Sequence, residues 1–243
     1  MNVLAIGAHG DDNEAFCAGT LAKHSKRGDK VFMCVVTDGS GRPKGDPAEI
    51  ARIRKGEAQA AADLIGAELI WLEIPDGFLK LNDETRHKFI ETIRATNADY
   101  IITHPPDDYH PDHTVTSQLV MQAAQVARTS NYPSEYAPIR KFVPVAFMAA
   151  EFGINFVPQD YVDITDVWDI KIQMLLKHVS QHMPGPTYDP NFVLPSNLEE
   201  IGIIRAVRVM SEFYGLNCGV RVAEPFTWWK AANRVVPRRL LPE

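Results

Sequence analysis

Two short stretches of the chain carry residues able to do chemistry. The first, AIGAHGDDNEAF (residues 5–16), sets His9, Asp11, Asp12 and Glu14 directly behind an apolar run that reads as a buried strand. Ionised groups so close to a core cost several kcal/mol when unpaired, or shift their pKa, so they call for partners. The second, PPDDYHPDHTV (residues 105–115), carries His110, Asp112 and His113. Imidazole and carboxylate are acceptable zinc ligands, and a catalytic zinc takes three protein ligands plus a water. A phosphate-binding loop does not fit the first stretch: Gly7 and Gly10 do not make GxGxxG, and the acids would repel a pyrophosphate. An HxxD pair alone is no stronger than the polar residues that cap helices. The metal reading therefore rests on both stretches reaching one place.

The elements decide whether they do. VLAIGA is followed by a helix over 14–27, stopped by Gly28, and KVFMCVVT (30–37) is a second buried strand. A helix over 48–65, with Ile50, Ile53, Ala58, Ala61 and Ile65 on one side, ends at Gly66. ELIWLEI is a third strand, 84–96 a helix, DYIITH (99–104) a fourth strand and 114–128 another amphipathic helix. Strands alternating with helices at this spacing predict an α/β fold, a doubly wound, mostly parallel sheet with helices on both faces. In the order 3-2-1-4-5, strands one and four are neighbours whose helices leave on opposite faces, and ligands bind in that crevice. Both histidine–acid stretches follow those two strands. Farther on, VPVAFMAA and DYVDIT read as strands, and 168–182 and 198–214 as helices. Residues 183–195, with four prolines, read as a long loop that helps to select substrate. No repeat or composition shift divides the chain, so one domain over 1–243 is expected.

Composition narrows the classes. A formal charge of −6 argues against nucleic acid or anionic lipid as partner, and only the tail from Arg234 to Arg239 is locally basic. Cys17, Cys34 and Cys218 show no CxxC spacing, so neither a disulfide framework nor a thiolate metal site is expected. There is no signal-peptide pattern and no apolar run near the roughly 18 residues that span a bilayer, which points to a reducing cytoplasm.

AHGDDNE together with HPDH resembles the PIG-L/LmbE-like zinc-dependent N-acetylglucosaminyl deacetylases, whose usual opening is AHPDD followed one residue later by Glu. Here Gly10 stands in place of the proline, a change to turn rigidity rather than to chemistry. VTDGS (36–40), RKGE (54–57), PDG (75–77), HVSQ (178–181) and GVRVAEPF extend the likeness over nearly the whole chain. The resemblance implies one zinc per chain held by His9, Asp12 and His113. It makes Asp11 the general base, His110 the residue that steadies the oxyanion with Asp112 orienting it, and Arg54 a sugar contact. It also implies a small amino-sugar substrate and assembly as a trimer or hexamer.

The chemistry is consistent with those roles. Zinc lowers the pKa of a bound water from 15.7 to about 7, and Asp11 can take a proton from water and return it to the leaving amine. Iron or cobalt also suits such a ligand set. The rival reading is a noncatalytic sugar- or metal-binding protein on the same scaffold; intact Asp11 and His110 favour an enzyme, because metal binding alone needs neither. Another amide or ester is the alternative substrate. For Arg54 the plain alternative is a surface ion pair with Glu57 at i+3. His104 either lines the site or packs, His178 and Gln181 share a predicted helix at i,i+3, and His182 lies beside the proline-rich loop. Asp107 and Asp108 are expected only to shape their turn.

Overall fold

A computed structural model describes residues 1–41, 44–150, 153–185 and 187–231; the basic segment 234–239 lies outside them. Seven strands form one sheet: β1 (Asn2–Gly7), β2 (Lys30–Thr37), β3 (Glu68–Ile74), β4 (Tyr100–Thr103), β5 (Val145–Met148), β6 (Asp160–Asp163) and β7 (Ala223–Trp228). The order is β3-β2-β1-β4-β5-β7-β6. The first five are parallel, as expected, and β7 runs antiparallel to both β5 and β6. Helices are α1 (Asp12–Phe16), α2 (Ala18–Lys26), α3 (Pro47–Asp63), α4 (Asp83–Thr96), α5 (Pro111–Val126), α6 (Trp168–Leu175) and α7 (Gly202–Cys218).

Strand alternation divides the core in two. Val3, Ala5, Val31, Met33 and Ile102 face Phe16, Leu21, Ala61, Met174 and Val207 on one side. Leu4, Ile6, Phe32, Cys34 and Ile101 face Phe89, Ile93, Leu119 and Ala123 on the other. So α1 leaves β1 on one face and α5 leaves β4 on the opposite face, and the crevice between them is real.

Two expectations need correction, and one strand is new. The helix over 14–27 is broken at Cys17 (φ −144°, ψ 6°). There the Glu224 carboxylate accepts from the freed N–H groups of Gly19 and Thr20 at 2.8 and 2.7 Å. The helix over 168–182 stops at Leu175, and a 3-10 turn follows over Val179–Gln181. Its backbone is diverted: Ser180 N–H and Oγ both donate to Glu57, at 2.7 and 2.6 Å. GVRVAEPF, which contains Pro225, leads into β7, a strand not expected from the sequence. That proline lies just past the stretch paired with β5, so its missing N–H costs no bond on that side.

Candidate active site

The site starts at the end of β1. A Cβ on Gly7 would lie 2.9 Å from that of Asp12, so glycine here lets the Asp12 side chain fold back under the turn. Asp12 Oδ2 accepts from the His9 N–H at 2.6 Å. Gly10, by contrast, is demanded by nothing local: a Cβ there would meet Gln181 and His178 at ordinary contact distances of 3.4 and 3.6 Å. Across the crevice His110 caps α5, its Nδ1 accepting from the Asp112 N–H at 3.2 Å, with Pro111 in the first turn. One turn of helix then carries His113 under the β1 loop.

Four donor atoms on three side chains converge. His9 Nδ1 lies 3.2 Å from His113 Nε2 and 3.4 Å from Asp12 Oδ2, and His113 Nε2 lies 3.4 Å from Asp12 Oδ1. An ion bound tetrahedrally at 2.0–2.1 Å would set its ligand atoms about 3.3 Å apart, so the donor set fits a zinc-sized cation. Carboxylates lie beside the other ring nitrogens. His113 Nδ1 is 3.1 Å from Asp108 Oδ1, and His9 Nε2 is 3.4 Å from Asp112 Oδ2 and 3.5 Å from Asp76 Oδ1. Carboxylates in that position fix the ring and raise its basicity as a ligand.

Asp112 is thereby corrected. Its carboxylate addresses His9 and accepts from Gly77 N–H at 3.1 Å, and only its backbone N–H orients His110. Asp108, expected only to shape a turn, and Asp76, noted only within PDG, are the residues that sequence reasoning missed. His104 lines the cluster: it is fully buried, stacks on His113 at 3.9 Å and sets Nε2 3.0 Å from Asp12 Oδ2. Further groupings able to hold a cation are His9–His110–His113, Asp12–His104–His113 and His9–Asp76–Asp112.

The electrostatics are those of a cavity prepared for positive charge. Burial opposes ionisation of Asp12, yet His113, His104 and His9 outweigh it and hold the carboxyl well below its usual range. Burial likewise works against His113, but Asp12 and Asp108 raise it to about 9, and Asp12 with Asp112 and Asp76 raises His9. His104 is pushed down to about 4 by burial and by His113. His110 is lowered by burial and by His9 and His113. A neutral His110 whose Nδ1 accepts carries its proton on Nε2, a donor.

Beside this cluster opens a cleft of about 820 Å³ lined by Asp11, Ser40, Lys44, Arg54 and Gln181 among others. Asp11 stands at the start of α1, but its side chain makes no capping hydrogen bond. Arg54 is buried against Gly39 (φ +69°), where a Cβ would come within 2.5 Å of the arginine Cδ. Burial lowers its pKa against the opposing pull of Asp11, Asp76, Glu57 and Asp38. The ion pair with Glu57 is not formed: Glu57 binds Ser180, and Arg54 Nε finds no partner. Met183 and Gly185, from the proline-rich segment, also line the cleft.

Residues 4–124, which contain both histidine–acid stretches, match the PIG-L family model, described as GlcNAc-PI de-N-acetylase. The chain belongs to the PIG-L family. Among its PIG-L relatives, the diacetylchitobiose deacetylase of Thermococcus kodakarensis is 28% identical over 231 residues, covering 91% of this chain and 80% of the relative. The solved N,N'-diacetylchitobiose deacetylase of Pyrococcus horikoshii, complexed with an inhibitor, is 26% identical and superposes with a TM-score of 0.80 over 93% of this chain and 83% of that one. A 4-oxalmesaconate hydratase of Pseudomonas putida is 25% identical over 187 residues, 70% of each chain.

Proposed function

We propose that the protein is a zinc-dependent hydrolase that removes the N-acetyl group from an N-acetylglucosamine-type small glycoside or glycoconjugate and releases acetate. The observation that carries this reading is the triangle of donors on His9, Asp12 and His113, at 3.2–3.4 Å, beside a cleft into which Asp11 brings an uncapped carboxylate. Those three side chains would hold one zinc per chain. When bound, zinc supplies Lewis acidity and a water nucleophile at neutral pH. Asp11 takes the proton of the attacking water and passes it to the leaving nitrogen. His110 donates from Nε2 to the acyl oxygen as charge builds there, a contribution of about 3–4 kcal/mol for one such donor. Arg54, which lines the cleft and forms no ion pair with Glu57, hydrogen-bonds the sugar hydroxyls.

The deacetylase names of two relatives support the acetyl group and the amino sugar. A hydratase is also among the similar proteins, so acetate release is the deciding measurement. The same reading puts the protein in the reducing cytoplasm, with free Cys17, Cys34 and Cys218, and assembles it as a trimer or hexamer, which light scattering measures. Among the described residues no helix is long and apolar enough to cross a membrane.

The test is a panel of N-acetylglucosamine glycosides assayed for acetate before chelation, after it, and after zinc is restored. Acetate that disappears and returns with the metal is expected, and His113→Ala should lose most of the zinc while staying folded. Acetate from no member of the panel would overturn the substrate. Full zinc in the variant would remove His113 from the site.

A further inference from the structure

The HVSQ stretch is not used by the chemistry above, yet the fold spends several interactions on its shape. The 3-10 turn over Val179–Gln181 is tied to α3 by the paired bonds from Ser180 to Glu57. His182 Nε2 lies 2.9 Å from the Leu175 carbonyl oxygen, and Gln181 N–H donates to that of His178 at 2.9 Å. The residue so presented is Gln181. It lines the same cleft as Asp11 and Arg54, and its Nε2 sits 3.4 Å from where a Gly10 Cβ would stand, against the turn that carries His9 and Asp12. That amide nitrogen is buried and has no hydrogen-bond partner. Buried polar groups are ordinarily paired, and an amide without a partner on a rigidly held turn at a cleft wall calls for one.

We propose that Gln181 is a substrate-binding residue whose amide N–H donates to an oxygen of the bound amino sugar, and that the Glu57–Ser180 latch is the device that positions it. The latch ties Gln181 to α3, the helix of Arg54, so the cleft grips one ligand from two walls held at fixed separation. The ligand's identity rests on the proposed function; the unpartnered donor does not.

The experiment compares wild type with Gln181→Met, which keeps length and shape but cannot donate. Acetate-release kinetics should show KM raised about tenfold, with kcat, zinc content and melting temperature near wild type. Ser180→Ala should raise KM less, and adding it to Gln181→Met should change nothing further, since it acts through the same side chain. An unchanged KM in Gln181→Met, or a loss confined to melting temperature, overturns the proposal while leaving the deacetylase reading intact. If wild type releases no acetate from any glycoside, that reading fails by itself. Calorimetric titration with glucosamine and N-acetylglucosamine then decides for Gln181: weaker binding to the variant alone supports it, and equal or absent binding overturns it.

Discussion

Adjacent aspartates meet opposite surroundings at the end of β1, and this separates their work. Asp12 is enclosed, accepting from His9 N–H with His104 and His113 against it. Asp11 opens on the cleft with no capping bond. Two carboxyl groups in unlike environments can take unlike roles. Asp11→Asn keeps the side chain's size and removes its ability to accept a proton. Turnover should fall by about 10²–10⁴ with zinc retained; near-normal turnover at full zinc would assign the base elsewhere. His9, Asp12 and His113 were singled out in the sequence because they stand in two compact histidine–acid motifs that resemble those of one family, and the fold brings the motifs together. Asp76 and Asp108 were not. Their work is defined by reaching the outer nitrogens of His9 and His113, one from a different loop, and no spacing records that approach.

At the scale of elements, the position of α1 depends on a buried ion pair. Lys171, on α6, donates from Nζ to the Glu14 and Ala15 carbonyl oxygens at 3.1 and 2.8 Å, closing the C-terminal end of α1. It also pairs with Glu224 at 2.7 Å, while Glu224 receives the first N–H groups of α2. A cation at one helix end and an anion at the next helix start both complement the backbone dipoles. This explains why the five parallel strands and α3, α4 and α5 could be read from local periodicity while the α1–α2 break could not. The groups that make the break lie more than 150 residues away along the chain. Lys171→Met should cost about 3–5 kcal/mol, because Glu224 is left charged and buried. Urea denaturation would show this as a lower midpoint with the slope unchanged. Lys171→Met combined with Glu224→Gln should recover part of the loss. A single-variant cost below about 1 kcal/mol would show the pair to be dispensable.

Across the whole molecule the two ends of the sheet do different things. The carboxyl ends hold carboxylates and imidazoles gathered into clusters that could hold a cation, and the amino ends are closed by charges that neutralise one another. Asp29, just before β2, takes the chain's amino group at 2.7 Å, His24 Nδ1 at 2.7 Å and Arg27 Nε at 2.8 Å. Lys141 pairs with Asp99 before β4, and Lys30 with Glu68 at the starts of β2 and β3. The amino group, His24 and Arg27 hold the Asp29 carboxyl well below the usual carboxylate range. A carboxyl whose folded pKa lies below its unfolded value of about 3.9 stabilises the fold above that value. The contribution is lost as pH falls and the group is protonated. Asp29→Asn should therefore melt about 2–4 °C below wild type at pH 7, taking the cluster as worth about 1 kcal/mol. The gap should begin to narrow as pH falls through the unfolded value of about 3.9, and should close only well below it, where the folded carboxyl is protonated too. Zinc content and turnover at pH 7 should match wild type, since the cluster lies at the end of the sheet away from the cleft. A gap that stays constant down to pH 3 would show that Asp29 acts through shape rather than charge.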